Sequence, residues 1–200
     1  APPRAAAMLE ALRVLGYHTS TALADSIDNS IAAGAATVDL RFVRNIEQSR
    51  IENQDDCRGM SAAEIDKAMR LGERSPLDER SADDLGRFGL GLKTASFSQC
   101  RCLTVAACGP DGLQCLRWDL DVLAAGKNDG WYLLEGPAEG SEGYLAPLKN
   151  AGRGTLVLWE AMDRIVTKGV GEQEFLDLID AVDRHLGMVF HRYLEHPRRL

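Results

Sequence analysis

Asp25 and Asn29 stand four residues apart, a spacing that on a helix sets one side chain a turn above the other on a shared face. A second group is the run Gly86-Arg87-Phe88-Gly89-Leu90-Gly91-Leu92-Lys93. Glycines ahead of a helix let the backbone approach an anion closely, and the exposed amides and positive dipole end of that helix attract its charge. Lys93 adds a point charge beside them. Two smaller features complete the set: the turn Asp55-Asp56-Cys57-Arg58-Gly59-Met60, and Gly154-Thr155 at the head of a late strand. The chemistry this points to is phosphate binding. Taken singly each feature has an ordinary reading: the polar face of an amphipathic helix, an Asp/Gly turn, a strand-to-helix corner. Their joint occurrence carries the argument.

Two familiar phosphate loops do not fit the glycine run. From Gly86, a Gly-x-x-x-x-Gly-Lys-Ser/Thr loop finds its second glycine at Gly91, but Leu92 takes the lysine place and Lys93 follows one late. From Gly89, a Gly-x-Gly-x-x-Gly fingerprint meets Thr94 where its third glycine belongs. A different phosphate site is required.

The elements that must position these residues can be sketched from periodicity. Residues 4–33 read as two helices broken near Gly16, the second capped by Thr19 or Ser20 and striped by Leu23, Ile27 and Ile31, with Gly34 ending it. Alternation from Thr37 to Val43 predicts a half-buried strand, and a second covers Ser49 to Asn53. Ser61-Ala62-Ala63-Glu64 is a capping box opening a short helix to about Arg70. Residues 72–86 are polar and rich in breakers, a loop, and a helix starts near Leu92. Cys102 to Ala107, Leu113 to Asp119, Trp131 to Leu134 and Thr155 to Trp159 read as strands of a largely antiparallel sheet. An apolar repeat from Phe175 to Tyr193 predicts a closing helix, about 172–195, that stops before Pro197. The predicted class is α+β: a two-layer sandwich with a mixed, mainly antiparallel sheet and helices on one face.

Two hundred residues, 45% of them hydrophobic, suffice for one core, and the reading is a single domain. The net charge of -7 lacks the basic excess of a dedicated nucleic-acid binder, so a plain DNA-binding domain is disfavoured. No run approaches the roughly 18 apolar residues that span a bilayer, and Ala1-Pro2-Pro3-Arg4 lacks a secretory core; a soluble, cytoplasmic protein with no membrane partner is expected. Five cysteines without a Cys-x-x-Cys pair read as reduced thiols, Cys100 and Cys102 as small buried hydrophobes. His185 and His191 are assigned no chemistry, and Arg153, Arg184, Arg192, Arg198 and Arg199 read as solvated charges.

In this order the motifs resemble the GHKL family, the Bergerat-fold ATP-binding domain of DNA gyrase B, the ninety-kilodalton heat-shock chaperone, MutL and sensor histidine kinases. The resemblance runs from about Ala22 to Glu160. Ala22-Leu23-Ala24-Asp25-Ser26-Ile27-Asp28-Asn29-Ser30, Gly86-Arg87-Phe88-Gly89-Leu90-Gly91-Leu92-Lys93-Thr94-Ala95-Ser96 and the tail His185 to Glu195 look most like microrchidia (MORC) ATPases and their bacterial, HSP90-like relatives. The resemblance implies ATP and Mg²⁺ as cofactors. Asn29 would ligate the metal, Asp25 would be the catalytic base, and Asp55 would accept from the adenine amine and so disfavour guanine. Gly59 would permit close approach of the base and Met60 would pack near it. Gly86, Arg87, Phe88, Gly89, Leu90, Gly91, Leu92 and Lys93 would hold the phosphates under a lid of about residues 72–88, and Thr155 would support the adenine side. Slow hydrolysis to ADP and phosphate, ATP-dependent homodimerisation, and DNA or DNA-processing partners in a setting such as phage defence, reached through regions outside this chain, are what the resemblance suggests.

Two positions depart from the family pattern. Asp25 stands where hydrolysing members carry Glu, and Cys57 replaces the first glycine of the adenine-side motif, where it must tolerate the turn's backbone angles. The first departure keeps a non-hydrolysing nucleotide sensor or scaffold open as a rival. A histidine protein kinase catalytic domain is another, though only His18 precedes the site. Relatives continue into a transducer-like domain whose lysine reaches the γ-phosphate; no counterpart is recognised within these 200 residues.

Overall fold

A computed structural model describes residues 4–14, 16–45, 48–72, 91–126, 130–165 and 170–195. Helices α1 (Ala5–Arg13) and α2 (Thr19–Ala32) come first, then β1 (Val38–Val43), β2 (Arg50–Asp55), α3 (Ala62–Met69) and α4 (Gly91–Phe97). The chain continues through β3 (Cys102–Gly109), β4 (Gly112–Asp119), α5 (Leu120–Ala125), β5 (Leu134–Glu135), a 3₁₀ turn (Glu142–Leu145), α6 (Ala146–Ala151) and β6 (Gly154–Glu160). It closes with α7 (Glu172–Val189) and α8 (His191–Glu195). This is the α+β class expected.

The sheet order is β1-β2-β6-β3-β4-β5. Every pairing is antiparallel, so the mixed component foreseen from sequence does not occur among the described strands. β6, last in sequence, lies between β2 and β3, and its inward residues Thr155, Val157 and Trp159 face Asp55, Asn53 and Ile51 in register. On this face Ile51, Leu103, Val105, Val157 and Trp159 share one buried cluster with Leu9, Leu23, Ile65, Met69, Phe97 and Val182 from the helices. The opposite face is not bare. Leu145 and Leu148, from the 3₁₀ turn and α6, pack on Ala106, Cys108, Leu156 and Leu158. Sequence periodicity missed that small cover because α6 is only six residues long, as is α5.

Other expectations are adjusted. The capping box at α3 forms as read: Ser61 Oγ accepts from Glu64 N at 3.3 Å while Ser61 N donates to Glu64 Oε2 at 2.8 Å. At α2 the N-cap is His18, and Thr19 is already helical, its hydroxyl spent on Gln99 Oε1 at 2.7 Å. β2 reaches two residues past Asn53, to Asp55. Of the strand foreseen at Trp131 to Leu134, only Leu134–Glu135 pairs; Trp131 stands edge-on to Trp118 instead, ring centres 6.4 Å apart. The closing helix breaks at Phe190, which turns into a pocket of Ala24 and Ile27 on α2. Among the described residues no helix is long and apolar enough to cross a membrane.

Polar ties fix the helices on the sheet. Trp159 Nε1 donates to Ser96 Oγ at 2.8 Å, and Trp118 Nε1 to the Met69 carbonyl at 2.9 Å. Arg13, 2% exposed, donates from Nε to the Phe97 carbonyl at 2.8 Å and pairs with Asp163 and Glu10. One side chain thus caps the last turn of α4 and joins it to α1 and to the segment after β6. Arg13→Ala leaves that carbonyl without its donor and removes one of the two arginines, Arg13 and Arg101, that pair with the half-exposed Glu10 and Asp163. We expect a loss of about 2 kcal/mol in urea unfolding with an unchanged slope; a loss below about 0.5 kcal/mol, the size of an ordinary surface change, would refute the assignment.

Candidate functional site

α2 buries Ala22, Leu23, Ala24, Ser26, Ile27 and Ser30 and leaves the opposite flank to water, so Asp25 is half-buried and Asp28 and Asn29 are exposed. Asn29 Nδ2 donates to the Asp25 carbonyl at 2.8 Å, which leaves the carboxamide oxygen as its acceptor for a ligand. Burial, and then the neighbouring Asp28 charge, push the Asp25 carboxyl above the usual range; partial desolvation does the same to Asp28. Neither acid has an ion-pair partner among the described residues. Two adjacent carboxyl groups raised in this way favour a cation between or beside them, because a positive charge relieves both their repulsion and their desolvation.

The buried edge of α2 meets β2. Asn53 Nδ2 donates to Ser26 Oγ at 2.7 Å, and Asn53 Oδ1 is buried without a partner. The loop after α2 is held next to it, since Asp56 Oδ1 accepts from Ala36 N at 2.8 Å and Thr37 N at 2.9 Å. Gln54 and Asp55 are the strand residues between these two ties, and Asp55 shares the inward face with Asn53. The helix bearing Asp25 and Asn29 is therefore bound, between those residues at Ser26 and after them at Ala36 and Thr37, to the strand end that carries Asp55.

Asp55 is 7% exposed. Its Oδ1 accepts from the backbone of Thr155 at 3.0 Å, in register across the β2–β6 ladder, and from Cys57 N at 3.1 Å. These amides claim Oδ1 alone. The turn that follows lies flat against the end of β3. Gly59 has φ +70, and a Cβ there would sit 1.9 Å from the Cys108 carbonyl oxygen. Gly154, at φ +111, approaches Asp55 so closely that a Cβ would fall 2.1 Å from its carbonyl oxygen. Both positions demand glycine on two counts, conformation and space. Cys57 does not: among the described residues the sole non-glycine with positive φ is Ala161, so the strain foreseen for Cys57 is absent. Met60 is partly buried and packs on the main core.

At the other end, Gly91 opens α4 exposed, Leu92 is half-buried, and Lys93 is 2% exposed. Lys93 Nζ donates to the carbonyls of Ala68 at 2.7 Å and Arg70 at 2.6 Å, the C-terminal end of α3. Gly86, Arg87, Phe88, Gly89 and Leu90, and all but Gly72 of the expected lid at 72–88, lie outside the described residues. Sequence reasoning had not singled out Ser26, Asn53 or Asp56. A polar residue at an inward strand position was the available signal for Asn53, and Asp beside a turn that for Asp56.

No curated protein matches. The family described as Histidine kinase-, DNA gyrase B-, and HSP90-like ATPase matches residues 17–155, a span that holds α2, the Asp55 turn, α4 and the start of β6. The match covers more than half of the chain and contains each described part of the site, and the chain belongs to this family.

Proposed function

We propose that residues 1–200 form one ATP-binding domain that takes ATP with Mg²⁺ in the cytoplasm and turns it over slowly to ADP and phosphate. The observation that best supports this is Asp55, a carboxylate held by the Thr155 and Cys57 amides at a strand end, on the same helix–strand unit as the Asp25/Asn29 face. A carboxylate fixed through one oxygen keeps the other for an amine in the plane of a purine; the carbonyl that guanine has there would be repelled. Gly59 and Gly154 let the turn and the head of β6 close against the Cys108 and Asp55 carbonyls, which fixes the backbone around that carboxylate.

The acid pair fits a divalent ion. Bound Mg²⁺ would supply charge neutralisation at the phosphates while retaining most of its own waters. Asn29 would give one oxygen ligand, and Asp25 would accept the proton of the attacking water. Its raised pKa suits a base, because the proton is held more firmly than by an ordinary aspartate. Gly91 and Leu92 would lie toward the phosphates, with the 86–90 run and a lid at about 72–88 as part of the same proposal, while Lys93, foreseen as a phosphate ligand, has its ammonium on the Ala68 and Arg70 carbonyls and would anchor α4 to the end of α3. A nucleotide sensor without turnover has one observation in its favour: Asp25 is a methylene shorter than the Glu of hydrolysing relatives, and about 1 Å of misplacement costs on the order of 100-fold in rate. Likeness to MORC proteins, dimerisation on ATP and work beside DNA remain extensions of this reading.

Phosphate release should fall at least about 100-fold in Asp25→Asn with ATP affinity kept within about 3-fold, whereas Asn29→Ala should lose the Mg²⁺ dependence of binding, by calorimetry. Release indifferent to both changes would reject these roles. Asp55→Asn, which turns an acceptor toward a donor, should weaken ATP by about 10-fold or more and narrow its margin over GTP; an unaltered margin would remove Asp55 from base selection.

The acid pair also has a consequence for folding. Because both carboxyl groups are raised in the folded chain, their ionisation costs stability, and that cost grows as pH rises through the acid range. Asp28→Asn should therefore raise the melting temperature at pH 7, with the gain vanishing below about pH 3, where both acids are neutral in either state. A gain of equal size at both ends of that range would disprove the electrostatic origin.

A further inference from the structure

Cys57 is 3% exposed, and its side chain turns under the Asp55–Gly59 turn rather than away from it. Its Sγ lies 3.4 Å from Thr155 Oγ1 and accepts from Gly59 N at 3.3 Å, while its own N–H holds Asp55 Oδ1 at 3.1 Å. One residue therefore touches all three groups that line the purine end in the reading above. Burial and the nearby Asp55 push the thiol above its usual range, so at neutral pH it is an uncharged S–H, able both to donate and to accept.

We infer that Cys57 is a positioning residue for base recognition, its thiol forming a dry floor that ties Asp55, Gly59 and Thr155 into one arrangement. The inference rests on the purine assignment of Asp55. Its physical basis is a matter of satisfied groups. Without the thiol, the Gly59 N–H and the Thr155 hydroxyl both lose a partner in a place that is almost sealed from solvent. The hole left by a sulfur is on the order of one water molecule, and a water there would contact the same groups with different directions and greater freedom. The carboxylate oxygen offered to the base would then be less sharply aimed. A thiol suits the place because sulfur is large enough to reach both neighbours and weakly polar enough to be buried at little cost.

The test is calorimetric titration of the full chain with ATP, ADP and AMP, for wild type, Cys57→Ala and Cys57→Ser, with melting temperatures recorded for each. Cys57→Ala should weaken all three nucleotides by the same factor, about 5- to 10-fold, because the defect is at the base and not at the phosphates. Cys57→Ser, which keeps a hydrogen-bonding group, should recover to within about 2-fold of wild type. Loss confined to ATP, a serine variant as weak as alanine, or a lowered melting temperature with unaltered affinities would each overturn the inference while leaving nucleotide binding intact. Wild type that binds none of the three would overturn the purine assignment itself, and the role of Cys57 with it.

Discussion

The pairing of β2 with β6 is the constraint from which the rest follows. It joins segments a hundred residues apart, and its last rung sets Asp55 opposite Thr155 with a backbone amide donated to the carboxylate. A buried carboxylate needs hydrogen-bond donors that do not move, and ladder amides are as fixed as any in a protein. The close approach of Gly154 to the Asp55 carbonyl follows from the same rung. A non-glycine there would force the two strands apart at the point where the carboxylate is held.

The helical layer is then placed by what the inward face of that pair offers. Asn53, two residues before Asp55 and on the same face, reaches Ser26; Asp56, one residue after it, gathers the amides of Ala36 and Thr37. α2 is thus aligned by polar contacts at its inner edge while Leu23 and Ala22 supply apolar burial. α4 is held at its far end by Arg13 on the Phe97 carbonyl and by Trp159 on the Ser96 hydroxyl. These polar ties add little net energy each, but they select one registry among several that apolar packing alone would tolerate.

Electrostatic strain is visible on the outer flank of α2. Desolvation raises the cost of ionising Asp25 and Asp28, the Asp28 charge adds to it at Asp25, and no arginine or lysine among the described residues pairs with either. Such an arrangement runs against folding stability. The sheet's other face shows the ordinary solution for comparison. There Glu52, almost fully buried, is paired with Arg50 at 2.6 Å, and Arg50 also stacks on Tyr144 at 3.8 Å.

Local rules determined a good deal. The Ser61–Glu64 capping box, the α2 face bearing Asp25 and Asn29, the helix opening near Leu92 and the β3–β4 hairpin depend on neighbours within a few residues, so they were legible in sequence. Motif order likewise sufficed for the family. The rest required distant partners: the extension of β2 to Asp55 needs β6 beside it, and the collapse of the Trp131 strand reflects a ring contact with Trp118 that no alternation pattern encodes. The break at Phe190 depends on a pocket in α2, and the helical cover of the second sheet face on six residues too few to show a period. Cys57 is the sharpest case. Its identity was plain, and its departure from glycine could be noticed, but a sulfur's partners are set by where Thr155 arrives, and that is decided by the ladder and not by the turn.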